Sequence, residues 1–283
     1  MDSGTSYDLS AAEYERFAQV ITERLGIRMP EAKLTMLQGR LSRRIRQLGL
    51  SSFEAYRQYL FRPPHAEDEY VHFIDAVTTN KTDFFREAQS LDYLVEHGLP
   101  SLAPSGVAHD RWHGKVWCAG CSSGEEAWTL AMVLSDYALR QPGFDFSILA
   151  TDISTKMLSR ARNAVYRRET IEPVPAAFRK RYLLSSRDPA RGVVRVVPAL
   201  RAKVEFGRLN FMDRGYAIRT QFDVIFFRNV MIYFDKPTQE AVVNKLCRHL
   251  RAGGYLFVGR SESLMGLHVP VRQVALSAYR KHM

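Results

Sequence analysis

Cysteine is scarce, at three in 283 residues. The odd count argues against a disulfide framework and for a reducing compartment, so a cytoplasmic location is expected. Cys118 and Cys121 spell Cys-x-x-Cys, but no second pair stands at a spacing that would complete a zinc site, and no metal is expected. No apolar run approaches the ~20 residues of a membrane helix. The start, Met1-Asp2-Ser3-Gly4, lacks the basic-then-apolar order of a signal peptide, so no direct membrane insertion is expected. Internal repeats and low-complexity tracts are missing, and no Ser-His-Asp or Cys-His set is recognisable.

What is present in excess is positive charge. The net charge is +10 and the pI about 9.6, which favours acidic partners. The excess is concentrated: between Arg160 and Arg208 thirteen Lys and Arg face four Asp and Glu. Hydrophobic residues make up 46% and charged residues 25%, ordinary for a globular protein with a packed core, and the length suits two domains.

The chain is organised around residues 115–126. Val116 to Ala119 read as a buried strand, Gly120 to Gly124 as a small-residue loop, and Glu125 to Tyr137 as an amphipathic helix. Glycine and serine in such a turn let the backbone approach a ligand closely. One unit later, Phe146 to Asp152 is an apolar run ending in a carboxylate. A glycine loop after one strand and an acid after the next is the nucleotide-binding arrangement of doubly wound sheets, in which the acid takes ribose hydroxyls.

Before this centre the pattern is helical. Ser10 with Glu13 forms a capping box ahead of Phe17, Val20, Ile21 and Leu25. A second apolar stripe runs from Leu34 to Leu48, a third helix from Ser52 to Leu60, a fourth over Tyr70 to Val77, and another over roughly 88–97. After it, strands and helices alternate, with strands expected at 115–119, 146–151, 203–207, 222–227 and 254–259 and a last one near 272–280. The domains expected are a helical one over 1–88, a linker over 89–114, and an α/β domain over 115–283 with a basic β insert (helix plus hairpin) at about 167–202. In the stretch 222–235, a strand runs into Arg228 and Asn229, with Tyr233 close behind. These polar groups fall at the carboxyl edge where ligands of open α/β sheets bind, and Asn210 falls there by the same reasoning.

Together, Thr79-Asn80-Lys81-Thr82-Asp83-Phe84-Phe85-Arg86, Ala119-Gly120-Cys121-Ser122-Ser123-Gly124-Glu125-Glu126, Ala150-Thr151-Asp152-Ile153-Ser154, Leu209-Asn210-Phe211 and Phe227-Arg228-Asn229-Val230-Met231-Ile232-Tyr233-Phe234 resemble the chemotaxis-receptor glutamate O-methyltransferases, the CheR family. The resemblance covers nearly the whole chain. It implies a small helical N-terminal domain followed by a doubly wound class I methyltransferase-like α/β sheet. It also implies S-adenosylmethionine as cofactor, S-adenosylhomocysteine as product, and glutamates on the cytoplasmic helical bundle of chemoreceptors as substrate. By resemblance, Asn80, Thr82, Arg86, Glu126, Asp152, Asn210, Phe211, Arg228 and Asn229 line the cofactor site. As catalytic residues, Arg86 has a charge that suits holding a carboxylate and Tyr233 a hydroxyl that suits orienting the acceptor, with a core aromatic beside Phe234 as the alternative for Tyr233. Ala127-Trp128 stands where relatives commonly have Pro-Tyr, and Phe211 where Leu is common; neither change removes a polar contact.

The family reading assigns the basic face of the second helix, with Arg40, Arg43, Arg44 and Arg46, to docking on the acidic receptor bundle. In the insert, Arg187, Arg191, Gly192 and Arg195 are candidates for holding a receptor C-terminal tail peptide as an added strand. A monomer is expected. Two other functions compete. A nucleic-acid methyltransferase suits the high pI, but no Asn-Pro-Pro-Tyr or similar base-holding motif and no aromatic stacking platform occurs in the insert, so no nucleic-acid partner is expected. A non-catalytic S-adenosylmethionine-binding module is opposed by the presence of Asp152, Arg86 and Asn229.

Overall fold

Residues 7–64, 66–104 and 111–283 are described by a computed structural model of the chain. They form two units: one holds the residues up to Thr79 with Asn210–Met212 and Tyr233–Asp235, the other Asn80–Leu209, Asp213–Ile232 and Lys236–Met283.

The first unit is helical. Helix α1 (Ala11–Leu25) starts with the expected box: Ser10 Oγ accepts Glu13 N at 3.3 Å, and Glu13 Oε2 accepts Ser10 N at 3.0 Å. It ends at Gly26, whose φ of 70° only glycine adopts cheaply. Helices α2 (Leu34–Gln47), α3 (Phe53–Leu60) and α4 (Ala66–Val77) follow. Phe17 and Ile21, Leu37, Leu41 and Ile45, Phe53, Tyr56 and Leu60, and Phe73 and Ile74 are buried; each contributes ~1.5–3 kcal/mol by leaving water. A polar pin joins three of the helices. Glu69 on α4, 2% exposed, accepts Arg44 Nη2 at 2.6 Å, Arg44 Nε at 3.0 Å and the Tyr56 hydroxyl at 2.8 Å.

The second unit is built on a seven-stranded sheet. Its strands are β1 (Trp112–Ala119), β2 (Phe144–Asp152), β6 (Val204–Arg208), β7 (Phe222–Phe227), β8 (Leu250–Val258), β9 (Val271–Ala275) and β10 (Ala278–Lys281). The order is β6-β2-β1-β7-β8-β10-β9. The first five are parallel, and β10 runs antiparallel to β8 and β9. Helix α7 (Glu125–Arg140) follows β1, α8 (Thr155–Asn163) follows β2, and α11 (Lys236–Arg248) precedes β8. Every residue of β7 is buried, as a strand covered on both faces must be. The chain-order reversal between β1 and β7 is the switch point at which such sheets bind ligands.

Four expectations change. The division between units falls after Thr79 rather than at 88. The helix expected over roughly 88–97 is present as α5 (Ala88–Tyr93), but it runs on through a wider turn (Leu94–Gly98) into α6 (Leu99–Leu102), so the expected linker 89–114 begins as helix. Leu91, Leu94, Leu99 and Leu102 belong to the second unit's core; the part beyond His97 is hidden in the sequence by Pro100 and the Pro- and Gly-containing stretch after it. Residues 105–110 of that stretch lie outside the described residues. The single last strand near 272–280 is a hairpin turning at Ser277, φ 60°.

The insert is a three-stranded sheet rather than a hairpin: β3 (Val165–Arg167), β5 (Val193–Val196) and β4 (Leu183–Ser185), in that order, with the short helices α9 (Ala176–Tyr182) and α10 (Pro198–Arg201). Its central strand is the Val-Val-Arg-Val run of residues 193–196, and the short outer strands carry no sequence signal of their own.

Candidate active site

The loop after β1 is shaped by three left-handed residues, Gly120 (φ 89°), Ser122 (φ 48°) and Gly124 (φ 98°). Gly124 leaves no room for a side chain, since a Cβ there would lie 2.8 Å from Ala161 Cβ and 2.9 Å from the Tyr166 hydroxyl. Thr151 O on the neighbouring strand accepts both Gly120 N and Cys121 N, at 2.8 and 2.9 Å. Asp152, 8% exposed, closes the arrangement. Its Oδ2 accepts Ser122 N at 2.8 Å and its Oδ1 accepts Ser154 N at 2.9 Å. Asp152 thus fixes the loops after β1 and β2.

The segment Asn80–Glu87 is fastened to this loop and to α7. Ser122 Oγ donates to Asn80 O at 2.9 Å, Phe85 N donates to Thr129 Oγ1 at 3.1 Å, and buried Phe84 packs edge-on against Tyr166 at 4.9 Å. Phe85 and Glu87, on either side of Arg86, both have φ 53°. Of the six non-glycine residues with positive φ among the described residues, Phe85, Glu87, Ser122 and Asn229 belong to this site, so backbone strain is concentrated here. Thr82 lies half-buried in the same segment. The Arg86 side chain is one-third exposed, with Nη1 3.5 Å from Lys81 O and Nε 3.9 Å from Glu87 Oε1. It is a cation held by its backbone and open at its head.

That backbone is held by Arg228, directly after β7 and 5% exposed. Arg228 Nη1 donates to Arg86 O at 2.9 Å, while Nε and Nη2 reach Glu126 Oε2 at 2.7 and 2.6 Å. Burial works against its charge, but Glu126 and Glu87 hold its pKa above the ordinary arginine value. Glu126 Oε1 accepts Cys118 Sγ at 3.4 Å. Burial pushes the Cys118 and Cys121 thiols well up, so neither is a thiolate nucleophile. Asn229, at φ 59°, gives its Nδ2 to Glu87 Oε1 at 3.3 Å and its backbone N–H to Glu262 Oε2 at 2.8 Å.

The structure therefore brings together Asn80, Arg86, Glu126, Asp152, Arg228 and Asn229, with Thr82 alongside. Asn210, Phe211 and Tyr233 fall in the helical unit: Asn210 Nδ2 donates to Arg24 O at 2.9 Å, Phe211 is buried, and the Tyr233 ring lies 5.8 Å from Lys33 Nζ. On α2, Arg44 is committed to Glu69, and Arg40 Nη1 caps α4 by donating to Val77 O and Thr78 O, both at 2.9 Å. Arg43 and Arg46 have exposed side chains. In the insert, Arg187, Arg191 and Arg195 are exposed and Gly192 has φ 57°. Arg195 lies on the central strand β5, whose two sides are already paired, so the outer strands are β3 and β4.

Sequence reasoning missed Glu87 and Glu262. Each is a carboxylate within three residues of a predicted site position or strand end, a signal available in retrospect. Their partners lie far off in the chain and only folding reveals them.

A mostly parallel sheet with this switch point, a tight glycine loop and an acid ending the second strand defines a nucleotide-binding protein of the doubly wound α/β class. The chain belongs to the CheR methyltransferase family: residues 12–78 match its all-alpha domain and residues 80–279 its SAM binding domain. It is 39% identical to a chemotaxis protein methyltransferase of Klebsiella aerogenes, over 90% of this chain and 84% of the relative. It is 38% identical to those of Salmonella typhimurium (95% and 88%) and Escherichia coli (92% and 87%).

The donor set suits the cofactor. Acids at 126 and 152, an open guanidinium at Arg86, and the Asn229 amide match a ribose diol, a carboxylate and an ammonium, and the glycine loop admits close backbone approach.

Proposed function

We propose that the chain transfers the methyl group of S-adenosylmethionine to glutamate side chains on the cytoplasmic helical bundle of chemoreceptors, giving methyl esters. The observation that carries this reading is Arg86, a cation whose backbone is pinned on both sides while its head stays open beside a buried ion pair. S-adenosylmethionine supplies, when bound, a methyl group made electrophilic by its sulfonium. Glutamate, with a pKa of ~4.3, is already an ionised nucleophile at neutral pH. No general base is needed, and the chain's task is to orient and to exclude water.

Asp152 and Glu126 hold the ribose end, with Asn80 and Thr82 beside them; Asn210 and Phe211 are assigned to the cofactor by the family resemblance alone. Asn229 offers its amide oxygen, since its nitrogen is engaged by Glu87. Arg86 holds a carboxylate through charge-assisted hydrogen bonds, and Tyr233 orients the acceptor through its hydroxyl. Arg228 positions Arg86 rather than touching the reacting atoms.

Docking falls to the helical unit through the exposed Arg43 and Arg46. The insert tethers a receptor tail peptide as an added strand on an outer strand, with Arg187, Arg191 and Arg195 supplying charge. The protein works as a cytoplasmic monomer; among the described residues no helix is long and apolar enough to cross a membrane. Incubation with labelled S-adenosylmethionine and receptor fragments tests the reading. Label released by base as methanol supports it, and base-stable label or none refutes it. Titration with aromatic-acidic tail peptides tests the tether, which no binding up to ~1 mM, about −4 kcal/mol, would remove.

A further inference from the structure

Strands β7 and β8 leave the sheet side by side, Phe227 in register with Val258. The residues that follow, Arg228-Asn229 on one and Gly259-Arg260 on the other, are drawn together by a single side chain. Glu262 Oε2 accepts Gly259 N at 2.6 Å and Asn229 N at 2.8 Å, and its Oε1 accepts Ile232 N at 3.3 Å. This carboxylate is 9% exposed and makes no ion pair among the described residues; backbone N–H groups alone compensate it. A buried charge so held is costly, and it serves a turn that carries Asn229 and leads directly into Tyr233.

We infer that Glu262 is a positioning residue for methyl transfer, acting through the backbone of the turn Asn229–Ile232. The inference rests on the methyltransferase reading above.

Two further observations support it. Gly259 is shaped for the clamp: a Cβ there would stand 2.6 Å from Asn229 Nδ2, 2.7 Å from Glu262 Oε2 and 3.0 Å from Asn229 N. Any larger residue forces the two strand exits apart. Glu87 completes the hold, its Oε2 accepting Arg260 N at 2.9 Å and its Oε1 accepting Asn229 Nδ2 at 3.3 Å. The backbone and side chain of Asn229 are thus fixed by two carboxylates, in a left-handed conformation that asparagine tolerates but does not prefer. The clamp acts on the site rather than on the core, because every N–H it engages lies beyond the strand ends.

The test is Glu262→Gln in the full chain. Its amide oxygen replaces one carboxylate oxygen, while its NH2 meets an N–H that needs an acceptor. The expected result is a kcat lowered ~10- to 100-fold, the scale on which small misplacements act. The KM for S-adenosylmethionine should change by less than a factor of ~3, well within half a tenfold step, and the melting temperature should stay near the parent's. Glu240→Gln is the control: Glu240 Oε2 accepts His268 N at 2.9 Å further along the same loop, and its loss should leave kcat unchanged. Gly259→Ala, which spreads the clamp without altering charge, should reproduce the kcat defect and decides the matter if Glu262→Gln does not fold. Parental kcat in either folded variant, or kcat falling only in proportion to the fraction folded, overturns the inference.

Discussion

Arg228 and Glu126, 102 positions apart in sequence, meet in the second unit as an ion pair with Nη2 2.6 Å from Oε2 and the arginine side chain 1% exposed. The same guanidinium holds the carbonyl of Arg86, so one residue couples the end of β7, the first turn of α7 and the segment presenting the open cation. Truncating it strands a poorly solvated carboxylate and frees that segment. Arg228→Ala should cost ~3–5 kcal/mol, measured by denaturant unfolding. Arg228→Lys should recover only part, for want of the planar fork. A loss below ~1 kcal/mol, the size of an exposed pair, would show that the pair does not organise the site.

Asp152 serves the fold as well as the ligand. Asp152→Ala leaves the N–H groups of Ser122 and Ser154 without their acceptor, at ~1–3 kcal/mol for each that stays buried. Stability and affinity for S-adenosylhomocysteine should therefore fall together, and Asp152→Asn, which keeps one acceptor, should fall between. Calorimetry showing parental affinity in a folded Asp152→Ala protein would remove this residue from the cofactor site.

Much of this was readable in the chain before folding. The strand–loop–helix at 115–126, the acid ending β2 and the polar residues ending β7 are local features whose residue types state their chemistry. The partners of Arg228, Asn229 and Arg44 are not local: Glu126, Glu87, Glu262 and Glu69 pair with them across turns and neighbouring strands. A helix face bearing four arginines read as uniformly exposed, yet Arg44 turns inward to Glu69 and Arg40 caps α4. Periodicity locates a stripe, but not which long side chains curl back to satisfy the fold.

Docking is therefore tested at two positions. Reversing Arg43 and Arg46 together should slow methylation of a receptor fragment, weaken its salt dependence and leave cofactor affinity unchanged. Arg44→Ala should instead destabilise the helical unit by ~3–5 kcal/mol, as loss of one partner of a buried pair does. Unchanged methylation by the double reversal at low salt would move the docking surface elsewhere.

Glu125, 8% exposed in the first turn of α7, has its pKa raised from 4.5, chiefly by burial. The folded state holds this proton more tightly than the unfolded one. Its contribution is complete below pH 4.5 and is lost as pH rises through the raised folded value. Glu125→Gln removes the ionisation, so its melting temperature should exceed the parent's at neutral pH, with the gap closing on acidification. A gap independent of pH would mean that the charge is not what burial penalises.

The central claim is that a glutamate carboxylate is the methyl acceptor, and mapping the methyl group on a receptor fragment by mass spectrometry tests it most directly. The prediction is modification confined to glutamate side chains, lost when those positions are changed to alanine and nearly lost with Arg86→Ala enzyme that still binds cofactor. Methyl groups on lysine, on a chain terminus or on added nucleic acid, with the glutamates untouched, would contradict it.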